Sequence, residues 1–356
     1  MVLPAYALIS VLLPLPDMAQ RSIKLGILDQ SIVRKGGTAV QAIQETIATA
    51  QLAEKLGYSR FWVSEHHNSA MIAGSAPEVL MVKLADVTER IRIGSGGIML
   101  PNHSALKVAE NFRLLETLFP GRIDLGIGRA PGGDRMTSNM LNPANTFSEE
   151  SYLLQLEHLN AFFNDQAATQ YGPMLAVPQS TTIPQQWILS SSGGSSAIAA
   201  RYGLGLVVAR FINGHAGPEV VKIYRDRFEP SDQFPRPHAM LSISVVCAET
   251  EEKAAQLRKL SDYTLLQFEK GRFEPMGSYE DIAAYEFSAE ELYRIANNKG
   301  RIISGTPQQV KDQLQQLAAA FDLDEIIITT MTYAQADRIR SFGLLAEVFG
   351  LGSQVH

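Results

Sequence analysis

Cysteine is almost missing from this chain: Cys247 is the only one in 356 residues. That excludes an intrachain disulfide and a cysteine-rich metal site. Cys247 lies in the apolar run 243–248, where it is expected to be a buried small hydrophobe. Charge is also scarce, at 19%, and nearly balanced, with 31 basic against 37 acidic residues and a net of −6. There is no basic cluster to follow a nucleic-acid backbone or an anionic membrane. No internal repeat or low-complexity tract interrupts the chain. No apolar run is long and unbroken enough to cross a bilayer, which takes about 20 residues. The apolar start, 1–15, is broken by Pro4 and Pro14 and lacks the basic residues of a secretory signal. A cytoplasmic protein is expected, with 1–22 a non-conforming extension and Met18 an alternative start.

What the chain does have is alternation. Short runs rich in β-branched and aromatic residues fall at 23–28, 61–63, 91–94, 123–127, 187–189, 206–208, 241–246 and 325–330. Helix-period segments separate them, at 39–56, 77–88, 106–118, 149–163, 195–202, 218–228, 251–269 and from 306, with a last one at 334–349. Gly57 is placed to end the first helix, Pro77 to open the second, and Thr306 with Gln309 to form a capping box. Strands alternating with helices indicate a parallel sheet. Eight of them over this length predict a TIM (β/α)8 barrel as one domain over 23–351, with a doubly wound open sheet as the runner-up. Residues from about 271 to 300 break the pattern and predict an insertion near the barrel mouth, between strand seven and the final units.

Barrel chemistry sits just beyond the strand C-termini. That rule nominates Asp29 and Gln30, then Glu65, His66 and His67, then Gly96 and Gly97, Arg129, Ser190 to Ser192, and Arg210. Histidine is the side chain whose ordinary pKa lies nearest neutrality, so the His66-His67 pair is a candidate proton handler. Adjacent residues on an extended segment point to opposite faces, so the two are poorly placed to chelate one metal ion. One of them is expected to be hydrogen-bonded for packing and the other functional. Gly96-Gly97 allows a flat ligand, or an unusual peptide geometry, close to the backbone. Arg129 enters a Gly/Pro loop where a guanidinium can fork onto phosphate or carboxylate. The run Ser190 to Ser196 joins a strand to a helix start, where free amides and hydroxyls form an anion pocket, and where Ser192 or Ser195 could equally cap the helix. Together these features suggest a phosphorylated ligand without saying which.

The same segments resemble the bacterial luciferase-like monooxygenases, and more closely their single-chain luciferase-type subgroup. The resemblance runs from about Ile23 to Phe349. It is carried by Leu28-Asp29-Gln30-Ser31, Val63-Ser64-Glu65-His66-His67-Asn68, Gly94 through Pro101, Val108-Ala109-Glu110, Gly121 through Pro131, and Trp187 through Ser192. It implies a TIM barrel that binds FMN at its strand C-terminal face. It implies use of reduced FMN and O2 to oxygenate a small organic substrate. It also implies a separate flavin reductase as the source of the reduced cofactor, and a homodimer. By motif position, His66 matches the active-site histidine beside the flavin. Gly96-Gly97 matches a pair joined by a non-prolyl cis peptide, and Arg129 the phosphate-binding arginine. Ser191, Ser192 and Ser195 match the loop around the other phosphate oxygens, and Asp29 falls in the first matching segment. Luciferase has a reactive cysteine where this chain has Gly128, and a glutamate where it has Ser191, so light emission is not implied. A deazaflavin-dependent dehydrogenase of the same superfamily, or a non-catalytic flavin-binding protein, stays open as an alternative.

Overall fold

The parallel strands close on themselves in the computed structural model, which describes residues 22–354 except 131 and 192. Most of the expected N-terminal extension, with both candidate starts, lies outside the described residues. The barrel strands are β1 (Lys24–Asp29), β2 (Arg60–Val63), β3 (Arg92–Met99) and β4 (Ile123–Gly128). They continue with β5 (Gln185–Ser190), β6 (Gly205–Ala209), β7 (Ala239–Cys247) and β8 (Glu325–Thr329). Each pairs in parallel with the next, and β8 returns to β1 through Leu25 opposite Ile326. The result is a closed eight-stranded barrel with helices between the strands, a TIM barrel.

The principal helices are α1 (Ala39–Leu56), α2 (Pro77–Asp86), α3 (Ala105–Leu118), α4 (Glu149–Phe163) and α5 (Gly194–Arg201). After them come α6 (Glu219–Asp226), α7 (Glu251–Glu269), α8 (Pro307–Phe321) and α9 (Gln335–Phe349). Local chemistry sets their ends. Gly57 takes the left-handed conformation, φ 86°, and its amide closes α1 on Ala53 and Glu54. Pro77 opens α2, and Thr306 with Gln309 forms the capping box of α8.

Alternation along each strand divides the core. Leu25, Ile27, Phe61, Ile93, Leu125 and Ile326 face outward into the layer shared with the helices. Leu28, Trp62, Trp187, Val207, Met240 and Ile327 fill the barrel itself. The two indoles fit because glycines oppose them. A Cβ on Gly94 would lie 2.5 Å from Trp62 Nε1, and one on Gly205 would lie 2.2 Å from Trp187 Cε3. At ~25 cal/mol per Å², hiding an indole of ~200 Å² stabilises the fold by roughly 5 kcal/mol. Cys247 is buried in the outer layer, and burial pushes its thiol up to about 12.

Two features differ from the sequence pattern. β3 runs on to Met99, so Gly96 and Gly97 lie inside the strand, where the register against β4 shifts between Gly96 and Ile98. A ninth parallel strand, Ile302–Gly305, pairs with the upper half of β7 from Ile302 opposite Ser244. With only two apolar residues in four, it has little strand signal of its own, and β7 supplies the partner. The segment between α7 and this strand carries two short helices, Tyr279–Ile282 and Ala289–Asn298, both with capping boxes. It is strapped to the loop after β1 by the Lys35–Asp281 pair and by backbone pairing of Arg34 with Met276.

Candidate active site

The C-terminal ends of the strands open onto a cavity of about 330 Å³. Leu28, Trp62, Val207 and Ile327 make an apolar floor, and His66, Gly96, Arg129, Ser191 and Ser195 stand around it. Residues from β1 to α5 that are far apart in sequence therefore meet at one rim.

The two histidines divide as their alternation requires. His66 turns to the cavity, with Nδ1 3.1 Å from Ser64 Oγ. Burial, which outweighs the opposing pull of Glu65, brings its pKa down to about 4. At neutral pH it is an uncharged imidazole that can accept or share a proton. His67 turns away, and its Nε2 lies 2.8 Å from Glu65 Oε1. That carboxylate is fully buried and also accepts from His103 Nε2 at 2.9 Å, Asn102 Nδ2 at 3.3 Å and the Met99 amide at 2.8 Å. Burial alone would raise the Glu65 carboxyl, but the bonds from His103, His67 and Met99 outweigh it and hold it at about 2. For His103, burial works downward, and the bond and charge of Glu65 win and raise its pKa. Glu65 thus fastens the end of β3 to the loop after β2. The His67 amide extends the fastening, donating to the Gly132 carbonyl at 3.0 Å in the loop that carries Arg129.

The peptide between Gly96 and Gly97 is cis, as the resemblance implies. A Cβ on Gly96 would meet Leu28 Cδ1 at 2.7 Å and Trp62 Cε3 at 3.1 Å, so a side chain there would intrude on the floor. Gly97 does not line the cavity; its Cα faces the Gly126 carbonyl, which a Cβ would approach to 2.6 Å. Arg129 lies at the rim, about half exposed, with Nη1 3.1 Å from Glu149 Oε2. An exposed pair of this kind holds the guanidinium loosely. On the far side, α5 begins after Gly193, which is left-handed at φ 82°, and no side chain among the described residues caps it. Ser195 lines the cavity and does not cap the helix, while the Ser196 amide is taken by the Gly193 carbonyl at 3.1 Å. Ser191 lines the cavity, with its carbonyl held by Asn213 Nδ2 at 2.8 Å. Ser190 Oγ accepts from the Gly193 amide, and Ser192 lies outside the described residues.

Asp29 is corrected. It ends β1, but its side chain alternates outward from Leu28, away from the cavity. Its Oδ1 accepts from the Ser31 amide at 2.7 Å and Thr46 Oγ1 at 2.8 Å, and its Oδ2 lies 3.0 Å from Arg338 Nη1. It ties β1 to α1 and α9, and Gln30 beside it reaches the cavity instead. Arg210 is also structural: Nε, Nη1 and Nη2 donate to the carbonyls of Gly300, Ala216 and Gly214.

Sequence reasoning missed two residues. Ser242 lines the cavity on β7, is 3% exposed, and its Oγ has no hydrogen-bond partner among the described residues. A serine at an inward position of a buried strand is the signal that could have found it. His103 had no signal, because only the fold brings it to Glu65.

These features fit a flavin mononucleotide. Gly96 keeps the floor clear for a flat ring, Arg129 and the start of α5 supply anion donors, and Ser242 Oγ is a buried polar atom short of a partner. Residues 23–323 match the luciferase-like monooxygenase family, and the chain belongs to it. It is 47% identical to YwcH of Bacillus subtilis, covering 92% of this chain and 99% of YwcH. It is 38% identical to the N-acetyl-S-alkylcysteine monooxygenase of the same organism, covering 91% and 98%. The crystal structure of apo-MsnO8 superposes with a TM-score of 0.87 at 35% identity, covering 92% of this chain and 99% of that one. The fold recurs in two distant structures. One is the oxygenating constituent of 3,6-diketocamphane monooxygenase of Pseudomonas putida, with FMN, at TM-score 0.67 and 16% identity, covering 94% and 99%. The other is an F420-dependent secondary alcohol dehydrogenase, at TM-score 0.66 and 13% identity, covering 93% and 99%.

Proposed function

We propose that this chain is an FMN-dependent monooxygenase that uses reduced FMN and O2 to oxygenate a small organic substrate. The carrying observation is the convergence of His66, Gly96, Arg129, Ser191 and Ser195 on one cavity with an apolar floor. Bound reduced FMN supplies the electrons that activate O2. Arg129 and the first turn of α5, with Ser195 and Ser191, hold the phosphate. Leu28, Trp62 and Gly96 would receive the ring, and Ser242 Oγ would offer a hydrogen bond to the bound group. His66, neutral and anchored through Ser64, holds or moves a proton at Nε2. The apolar floor of Leu28, Trp62, Val207 and Ile327 keeps water from the reacting atoms on that side. A separate reductase delivers the reduced flavin.

A homodimer and a cytoplasmic location complete the reading. Val79 and Val82 on α2, with Leu114 and Leu118 on α3, are exposed apolar residues that suit a second copy. No helix among the described residues is long and apolar enough to cross a membrane. The relative that oxygenates N-acetyl-S-alkylcysteines makes thioethers the first substrates to try.

The test is anaerobic titration with reduced FMN, then admission of isotope-labelled O2 with a thioether panel. Saturable FMN binding and label in the product support the reading. Failure to bind FMN, or preference for the deazaflavin F420, overturns it. His66→Ala is expected to impair turnover far more than FMN binding, and equal loss of both would remove His66 from the chemistry.

A further inference from the structure

Beside the main cavity lies a second one of about 210 Å³. The two share Gln30, His66, Phe211 and Ile212, so they meet at a neck with the imidazole in its wall. Beyond the neck the wall changes character. Leu265 and Phe268 of α7 and Ile302 of the ninth strand close it with apolar surface. Ser244 and Thr329, register partners across β7 and β8, add hydroxyls. Arg301 brings a charge, but its guanidinium is committed. Its Nη1 lies 3.1 Å from Glu269 Oε1, and its Nε donates to the Phe211 carbonyl at 2.8 Å. Glu269 is shared with Arg294, whose Nη2 lies 2.9 Å from its Oε2, so what limits Arg301 is that Nη1 and Nε already hold partners.

We infer that this chamber receives an uncharged, compact, apolar part of the organic substrate, about the size of a substituted benzene ring, and holds the reacting atom at the neck beside His66. The inference rests on the flavin-dependent reading of the main cavity and adds the class of substrate. Size sets one bound. An apolar protein cavity of ~150 Å³ takes benzene, whereas drug-sized ligands fill ~300–1,000 Å³. A chamber of about 210 Å³ lies between them, too small for a long-chain aldehyde or a second nucleotide. Polarity sets the other bound, because a carboxylate among these apolar walls would find only hydroxyls and a guanidinium whose Nη1 and Nε are already bound. The closing wall comes from α7 and the ninth strand, so selectivity is built by the segment that departs from the plain barrel.

The experiment uses the full chain, with and without FMN, and two probes with the same ring: neutral para-fluorothioanisole and anionic para-fluorobenzoate. Binding is read by fluorine NMR, and FMN affinity by equilibrium dialysis. The neutral probe is expected to bind ~10-fold or more tighter than the anion, a gap of about 1.4 kcal/mol. Leu265→Trp and Ile302→Trp fill the chamber. Each is expected to weaken the neutral probe ~10-fold or more while FMN affinity stays within ~2-fold. Leu265→Ala has the opposite sign and admits para-fluorophenyl butyl sulfide, which the parent rejects; this holds the test open if a tryptophan variant fails to fold. Equal binding of the two probes, neutral binding that survives the filled chamber, or an alanine variant that excludes the larger sulfide overturns the inference. Binding of the neutral probe without any binding of FMN overturns the flavin reading alone.

Discussion

The two ends of the barrel use polar groups in opposite ways. At the N-terminal end, Arg60 Nη1 lies 2.7 Å from Asp124 Oδ2, and its Nε lies 2.7 Å from Glu325 Oε1. Arg92 Nη2 takes the other Asp124 oxygen at 2.7 Å, and Trp62 Nε1 donates to Asp124 Oδ2 at 2.9 Å. Burial resists all these charges. The two carboxylates nonetheless raise the Arg60 pKa, and the guanidiniums lower those of Asp124 and Glu325. At the C-terminal end the buried Glu65 is saturated too, but among the groups that line the cavity the balance is reversed. Among the described residues Arg129 has one exposed ion-pair partner, α5 has no side-chain cap, and Ser242 Oγ has no hydrogen-bond partner. Saturated charges lock one end, and unsaturated donors leave the other able to bind.

That contrast predicts where mutations act. The largest effect belongs to Arg60→Ala, which takes an ion-pair partner from two buried carboxylates at once. It is expected to cost about 3–5 kcal/mol in urea unfolding while folded protein still binds FMN. A flavin-specific defect with unchanged stability would break the contrast. Arg129→Ala is expected to do the reverse, weakening FMN by about 1.5–3 kcal/mol in dialysis with little change in melting temperature.

The third prediction concerns acid. His66 titrates near 4 in the fold and near its ordinary 6.5 when unfolded, so the unfolded chain binds the extra proton between those values. Stability is expected to fall as pH drops from 6.5 to 4, and His66→Gln should flatten that slope. Glu65 acts in a lower window. Its carboxylate stabilises the fold above 4.5, and that contribution is lost as pH falls toward 2. A slope unchanged in His66→Gln between 6.5 and 4 would contradict the buried neutral imidazole. The smallest effect is Glu149→Gln. Freed of its exposed partner, Arg129 should bind FMN slightly tighter, by about 0.2–1 kcal/mol in dialysis.

Much of the molecule was legible in the sequence because periodicity and end chemistry are local. The eight barrel strands, the left-handed Gly57 and the Thr306 capping box are written in neighbouring residues. His66, Gly96, Arg129, Ser191 and Ser195 could be grouped because strand C-termini share one face once the barrel closes. Asp29 shows the limit. It is one residue from Leu28, and a single step along a strand decides between cavity and helix layer. The strand at 302–305 and the Glu65–His103 contact were hidden for another reason. Each is completed by a partner far away in the chain, β7 for the first and the turn after β3 for the second.

Trp62 spans the boundary between the two ends: its indole nitrogen points down to Asp124, and its ring forms part of the floor under the cavity. The chain's other tryptophan, Trp187, packs against it with ring centroids 6.0 Å apart. All of the protein's indole emission therefore originates inside the barrel, one ring away from any occupant. An absorbing guest should quench it on arrival, so the unlabelled protein carries its own optical gauge of occupancy.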